Sequence, residues 1–214
     1  MKTIKLENLE LQPELYEEIE RVLKSEGVVC LPCNSSYRIV ADLKSETAVN
    51  RLLQSKHRTR KAPSLVFIDG EPMLDAIASN IDPVARKLAR KVWPRPLTIL
   101  FDAHDDLPPK VVKQLSKANG KIGVRVPSSP VVKKIISRLG GPLLVSSANR
   151  EQKQGAGSPA QIRKNFANRI DIFIDAGDLS PNGESSTVVD VEKGAVTVTR
   201  AGAVSADEIA GIAK

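Results

Sequence analysis

Aromatic residues make up only 3% of this 214-residue chain. Val, Ile, Leu and Ala must therefore fill its core, and few rings remain to stack exposed bases, the usual platform for single-stranded nucleic acid. Two cysteines are too few for a disulfide scaffold, so the chain reads as cytosolic. No window approaches ~20 uninterrupted apolar residues, and no membrane-spanning helix is expected. The start, Met1-Lys2-Thr3-Ile4-Lys5-Leu6-Glu7, lacks the apolar core of a signal peptide. Also missing are the P-loop G-x-x-x-x-G-K-[ST] and the motifs G-x-G-x-x-G, G-x-S-x-G and H-E-x-x-H. Any nucleotide is therefore held without a known glycine-rich cradle.

What is present suits a folded protein: 41% apolar and 27% charged residues, and no linker long enough to divide the chain. A single domain spanning residues 1–214 is expected. The net charge of +7 implies attraction to anions. A solubilising surface, a nucleic acid and a polyanionic small molecule such as ATP all fit that charge, which alone does not choose between them.

Helices and strands interleave along the chain. Residues 13–26 read as a helix, with Leu15, Ile19, Val22 and Leu23 on one stripe and Gly27 as its C-terminal cap. Val28-Val29-Cys30-Leu31 reads as a buried strand stopped by Pro32. Further helices are expected over 46–55, 83–92, 131–139, 159–166 (capped by Ser158) and 206–213. Strands are expected over 64–68, 97–100, 122–126, 143–145, 170–174, 186–191 and 195–199, and residues 150–157 read as a loop. The rhythm is not the one-to-one alternation of a doubly wound sheet. An α/β fold with a twisted, open, mixed sheet flanked by helices is the expectation.

Cys30-Leu31-Pro32-Cys33 has C-x-x-C spacing. A redox dithiol needs a helix N-terminus, which is not evident here, and zinc needs about four ligands with only His57 and His104 to add. Small residues at a strand end are the reading adopted.

Polar residues cluster at strand ends, where α/β proteins place ligand sites. Lys56-His57-Arg58 closes a helix, where cations also complement the helix dipole. Arg125 interrupts the apolar run Ile122 to Pro127, so it either faces solvent on an edge strand or points into a cavity at an anion. Ser147-Ala148-Asn149 can be a simple turn or a set of donors for phosphate oxygens. Arg200, after the strand at 195–199, offers a second guanidinium fork for phosphate or carboxylate.

In order along the chain stand Pro32-Cys33-Asn34-Ser35-Ser36-Tyr37-Arg38, Lys56-His57-Arg58, Trp93-Pro94-Arg95-Pro96-Leu97-Thr98, Val124-Arg125-Val126-Pro127, Ser147-Ala148-Asn149, Ser186-Thr187-Val188-Val189-Asp190 and Arg200-Ala201-Gly202. This series resembles the YrdC family of threonylcarbamoyl-AMP synthases over roughly residues 15–203. The resemblance implies a YrdC-like fold with a large basic concave cavity. It implies an L-threonylcarbamoyladenylate synthase-type nucleotidyltransferase, which condenses L-threonine, bicarbonate (or CO₂) and ATP into threonylcarbamoyl-AMP and pyrophosphate, with Mg²⁺ accompanying the ATP. The product serves the N6-threonylcarbamoyladenosine (t6A) modification of tRNA, so tRNA and other t6A-pathway proteins are implied as partners. By position, Lys56, Arg58, Ser147, Asn149, Ser158 and Arg200 match the ATP-binding set, with Lys56 and Arg58 as the catalytic cations. Ser35, Arg125 and Ser186 fall where the family holds threonine.

Departures from the pattern concentrate in the first motif. Cys33 replaces Thr, Asn34 replaces the acid, and Arg38 and Val40 replace glycines. Arg95 stands for the glycine of W-P-G-P, Phe67 lies where many synthases have a histidine, and Arg150-Glu151 replaces a small Ser-Gly pair. The phosphate side is kept while the threonine side is changed, which suggests a divergent paralogue of the YciO type. Two classes of function stay in view: a synthase, and a non-catalytic module that binds nucleotide or double-stranded RNA and tRNA through the same basic concavity.

Overall fold

Strands buried at successive positions, such as β2, β7 and β9, and helices with one apolar face dictate a layered structure. In the computed structural model the described residues are 1–56, 65–116, 120–149, 158–180 and 185–214. Their eleven strands are β1 (Lys2–Lys5), β2 (Val29–Cys33), β3 (Ser36–Asp42), β4 (Leu65–Phe67), β5 (Ala78–Ser79), β6 (Leu97–Ala103), β7 (Lys121–Arg125), β8 (Leu143–Ser147), β9 (Ile172–Asp175), β10 (Thr187–Glu192) and β11 (Ala195–Arg200). They form one sheet in the order β1-β9-β2-β3-β8-β4-β7-β6-β10-β11, with β5 pairing β6 off this path. Parallel ladders (β1–β9, β2–β9, β4–β7, β6–β10) mix with antiparallel ones. The expected open, mixed sheet is the observed one.

The helices are α1 (Asn8–Leu11), α2 (Glu14–Lys24), α3 (Glu46–Ser55), α4 (Pro83–Val92), α5 (Pro109–Leu115), α6 (Pro130–Leu139), α7 (Pro159–Phe166) and α8 (Ala206–Ala213), with a 3₁₀ turn at Glu71–Ala76. Apolar residues of α3, α4, α5, α7 and α8 pack with Tyr37, Ile39, Val66, Ile99, Val124 and Val189 on one face of the sheet. On the other face α2 and α6, with Leu9 of the short α1, bring a buried cluster, through Tyr16, Ile19, Leu23, Val132, Ile135 and Ile136. They pack on Val29, Leu31, Val40, Val145, Ile172 and Ile174, the half of the sheet centred on β2 and β9. The rest of that face carries no such helical layer among the described residues. This asymmetry positions the site.

Several local expectations need correction. Pro32 does not stop β2; it sits inside it, opposite Tyr37. The β9 ladder reaches only Val29 and Cys30, so on that side no partner needs the N–H that Pro32 lacks. Gly27 is not the left-handed cap of α2. Glu26 takes that conformation (φ 62°), while the Gly27 N–H donates to the Val22 carbonyl at 2.8 Å. Gly27 is required for space instead, since a Cβ there would lie 2.4 Å from Val22 Cγ1. Ser158 occupies the position before α7 but makes no side-chain cap. By contrast Ser45, Asp82 and Ser129 do cap their helices, accepting from Ala48, Val84 and Val132 N–H. Ser64, expected to open β4, and the loop read at 150–157 lie outside the described residues.

Candidate functional site: a basic cavity on the uncovered face of the sheet

Side chains along a strand alternate between its faces. In β3, Tyr37, Ile39 and Ala41 enter the helix-covered core, which sends Arg38 to the other face. The same parity sends Arg125 of β7 outward between Val124 and Val126, Thr98 of β6 between Leu97 and Ile99, and Phe67 of β4 beside Val66. Together with Cys33, Asn34, Ser35, Leu65, Ser147, Ser185, Ser186, Val188 and Arg200, these residues line a cavity of about 510 Å³, a size within the usual range for small-molecule sites. Its described lining holds three guanidiniums and no Asp or Glu. The choice left open for Arg125 is thereby resolved: β7 is an interior strand, and Arg125 points into the cavity.

The arginines differ in how they are held. Arg200, at the rim, donates from Nη2 to the Ser186 carbonyl (2.6 Å) and Oγ (3.0 Å), and from Nε to the same carbonyl (3.2 Å). Ser186 Oγ in turn lies 3.0 Å from Thr98 Oγ1. Gly202 permits this junction, because a Cβ there would lie 2.2 Å from the Ser185 carbonyl oxygen. Arg125 is only 8% exposed, and its buried Nε has no acceptor among the described residues. A buried N–H without a partner costs on the order of 1–3 kcal/mol, which a bound acceptor would recover. Burial, followed in size by a partly offsetting effect of the Cys33 thiol, lowers the pKa of Arg125, and Arg38 lowers it further. Arg38 is lowered in the same way, first by burial, with Arg200 adding to the effect. The Cys33 thiol is pushed up by burial and drawn back by Arg38 and Arg125. The cavity is a concentration of positive charge without a described counter-ion.

Of the residues expected at the site, Ser35, Arg125, Ser147, Ser186 and Arg200 come together in this lining. Lys56 does not reach it. Its side chain is fully buried, with Nζ donating to Ser146 Oγ (2.8 Å), Ser147 Oγ (3.2 Å) and, over a short contact, the Ser147 carbonyl. Ser147 Oγ donates to Asn149 Oδ1 at 2.5 Å, so Lys56 and Asn149 adjoin the cavity through Ser147. Ser158 opens α7 and is not part of the lining. Arg58 lies outside the described residues. Arg95 forms an ion pair with Glu208 and adds no free cation. Thr98, which closes the Trp93 to Thr98 motif but carries no site role in the sequence reading, also lines the cavity. The signal was available, since Thr98 interrupts the apolar run Leu97 to Leu100 just as Arg125 interrupts its own strand.

Comparison with known proteins bears on this arrangement. A family model described as "Telomere recombination", covering the Sua5, YciO and YrdC proteins, matches residues 21–202. The chain belongs to the Sua5/YciO/YrdC family. It is 28% identical over 182 residues to a threonylcarbamoyl-AMP synthase of Pyrococcus abyssi, covering 85% of this chain and 52% of that one. The chain thus spans about half the length of that relative. A threonylcarbamoyl-AMP synthase of Coxiella burnetii is 28% identical over 176 residues, covering 82% of this chain and 92% of its own. Among solved structures, P. abyssi Sua5 complexed with L-threonine superposes with a TM-score of 0.83 at 24% identity, covering 99% of this chain and 60% of that one. Escherichia coli YciO superposes with a TM-score of 0.79 at 21% identity, covering 97% and 98%. These superpositions establish the YrdC-like fold. No helix of the described residues is long and apolar enough to cross a membrane.

Proposed function

We propose that this family member is an adenylate-forming synthase of the threonylcarbamoyl-AMP type, acting in the cavity on the uncovered face of the sheet. The reaction joins an amino-acid carbamate, formed from bicarbonate or CO₂, to the α-phosphorus of ATP. A carbamate oxygen forms a bond to that phosphorus while the bond to the bridging oxygen of pyrophosphate breaks, and pyrophosphate leaves with the electron pair. Such a step needs alignment and charge neutralisation more than an acid–base pair. A lining with three guanidiniums, several hydroxyls and no described carboxylate suits that requirement, and this observation carries the proposal.

In this reading Arg200 and Ser147 take the phosphates, and Lys56 fixes the Ser146-Ser147 segment from behind. Arg125, Ser35 and Ser186 receive the amino acid, for which L-threonine is the family's substrate, and the product would feed t6A modification of tRNA. The described residues contain no group of three or more His, Cys, Asp or Glu able to hold a metal. Mg²⁺ arriving with ATP would be held chiefly by the phosphate oxygens and water.

The competing reading is RNA binding, which additional cations such as Arg38 and Arg95 would favour. Arg95 is neutralised by Glu208 and Arg38 lines the cavity, so neither favours a duplex over a small molecule. The decisive experiment incubates the protein with ATP, bicarbonate and single amino acids, measuring pyrophosphate release and adenylate mass. An aminoacyl-carbamoyl adenylate is the expected product. Silence with every amino acid, together with salt-sensitive RNA binding, would replace the synthase with the binding module.

A further inference from the structure

Thr98 places a hydroxyl in the buried, otherwise apolar run Leu97 to Phe101 of β6, and its side chain is wholly buried. Its methyl group packs on Gly123 of the neighbouring β7, where a Cβ would lie 3.1 Å from Thr98 Cγ2. A β-branched side chain is stiff at χ1, so the packed methyl sets the direction of the hydroxyl. That hydroxyl lies 3.0 Å from Ser186 Oγ, its one partner among the described residues. The backbone around Ser186 is pinned as well. The Ser185 carbonyl accepts from the Ala203 N–H (3.0 Å), and the Thr187 N–H donates to the Pro96 carbonyl (2.9 Å).

A hydroxyl has one hydrogen to donate and two lone pairs with which to accept. Were Ser186 the donor to Thr98, the Thr98 hydrogen would be left buried without an acceptor, which is costly. With Thr98 as donor, Ser186 Oγ accepts twice, from Thr98 and from Arg200 Nη2 at 3.0 Å, and both its lone pairs are engaged. Its own hydrogen has no described acceptor, and Ser186 belongs to the cavity lining. We propose that Thr98 is a positioning residue that fixes Ser186 as a hydrogen-bond donor toward the ligand. So held, Ser186 cannot accept from an ammonium or hydroxyl of the ligand. The group in front of it is an acceptor oxygen, and the Arg200 cation behind it polarises the hydroxyl and strengthens the donation. The ligand itself is taken from the synthase reading, on which the inference rests to that extent. There the oxygen belongs to the α-carboxylate of the amino acid or to the carbamate formed on its nitrogen.

The test is calorimetric titration of the full chain with L-threonine, with and without bicarbonate. Parallel titrations contain α,β-methylene-ATP, which cannot release pyrophosphate. Thr98→Val keeps the branched shape and removes the hydroxyl; Thr98→Ala, which also lacks it, stands in should the valine variant not fold. L-Threonine affinity should fall about three- to tenfold, the scale of one hydrogen bond, and Thr98→Ser should recover most of the loss. Affinity for the ATP analogue should stay within about twofold, because the Ser186 carbonyl still holds Arg200. In a Ser186→Ala background the same Thr98 substitution should change L-threonine affinity by less than about twofold, since Thr98 acts through Ser186. A loss seen with L-threonine alone assigns the oxygen to the carboxylate, and a loss that needs bicarbonate assigns it to the carbamate. Wild-type affinity in Thr98→Val, an effect that persists undiminished in Ser186→Ala, or no L-threonine binding under any of these conditions would each overturn the proposal. Adenylate formation by a Thr98→Val protein with unchanged L-threonine affinity would remove this inference and keep the synthase reading. The predicted affinity changes in a protein that forms no adenylate would do the reverse.

Discussion

Phe67 and Arg125 are neighbours in the parallel β4–β7 ladder and face the same cavity, an aromatic ring beside a guanidinium whose Nε has no described acceptor. A bound acceptor at that Nε would therefore offset part of the cost of burying Arg125. Arg125→Met keeps much of the stem and removes the unpaired charge. Its thermal midpoint without ligand is expected to equal or exceed that of the wild type. Its affinity for the amino-acid ligand is expected to fall about tenfold or more. Thermal denaturation and calorimetry on the same preparations check both halves, and a clear loss of midpoint would show that the fold itself satisfies the guanidinium.

Lys56 is expected to behave in the opposite way. Its amine ties the end of α3 to the end of β8 through Ser146 and Ser147. Lys56→Met leaves buried oxygens without a donor and should destabilise the fold by about 1–3 kcal/mol in urea titrations. ATP affinity should drop as well, because Ser147 and its partner Asn149 lose their anchor. Unchanged stability with lost ATP binding would instead move Lys56 into direct contact with phosphate.

Gly202 sits against the backbone of Ser185 and Ser186 with no room for a methyl group. Gly202→Ala should cost about 1–3 kcal/mol through overpacking. It should also weaken ATP binding more than amino-acid binding, since Arg200 lies two residues away. Denaturation midpoints and paired titrations measure the two effects, and full stability in the alanine variant would contradict the close approach of these segments.

A pH effect is expected away from the cavity. Burial alone would raise the Asp175 carboxyl, but the Gly177 N–H, Lys5 and Arg163 outweigh it and hold it below its ordinary value of 3.8. A depressed folded-state value means the group stabilises the protein above the ordinary carboxylate range. That stability is lost as pH falls through the depressed value. Asp175→Asn should be less stable than wild type at neutral pH, and its stability should fall less steeply in acid. Urea titrations at a series of pH values decide it; parallel curves for the two proteins would exclude the linkage.

Much of this is legible in the primary structure, for reasons that differ by element. Helices α3, α4 and α6 announce themselves through a capping Ser or Asp, a proline in the first turn of α4 and α6, and apolar spacing that matches a helical face. Strand β3 is not evident from the sequence. Asn34, at φ 55°, turns the chain within two residues, and the polar Asn34-Ser35-Ser36 run hides the strand that follows it. β1 is equally hidden, because an edge strand with Ile4 as its single buried residue shows no alternation to read. At the site, Ser35, Arg125, Ser147, Ser186 and Arg200, drawn from the ordered motifs, share one cavity lining. The motifs do not show that Lys56 turns inward, because the burial of an amine depends on three oxygens of a segment some ninety residues away.

The uneven helical cover of the sheet has a consequence for how such a protein can change. Residues 37 and 39 belong to the packed side of β3, while residue 38 belongs to the open side. A substitution at 38 therefore alters the lining of the cavity, while Tyr37 and Ile39 hold their places in the core. Selectivity and foldability reside on opposite sides of the same strand, and over evolutionary time the first is free to drift while the second is held.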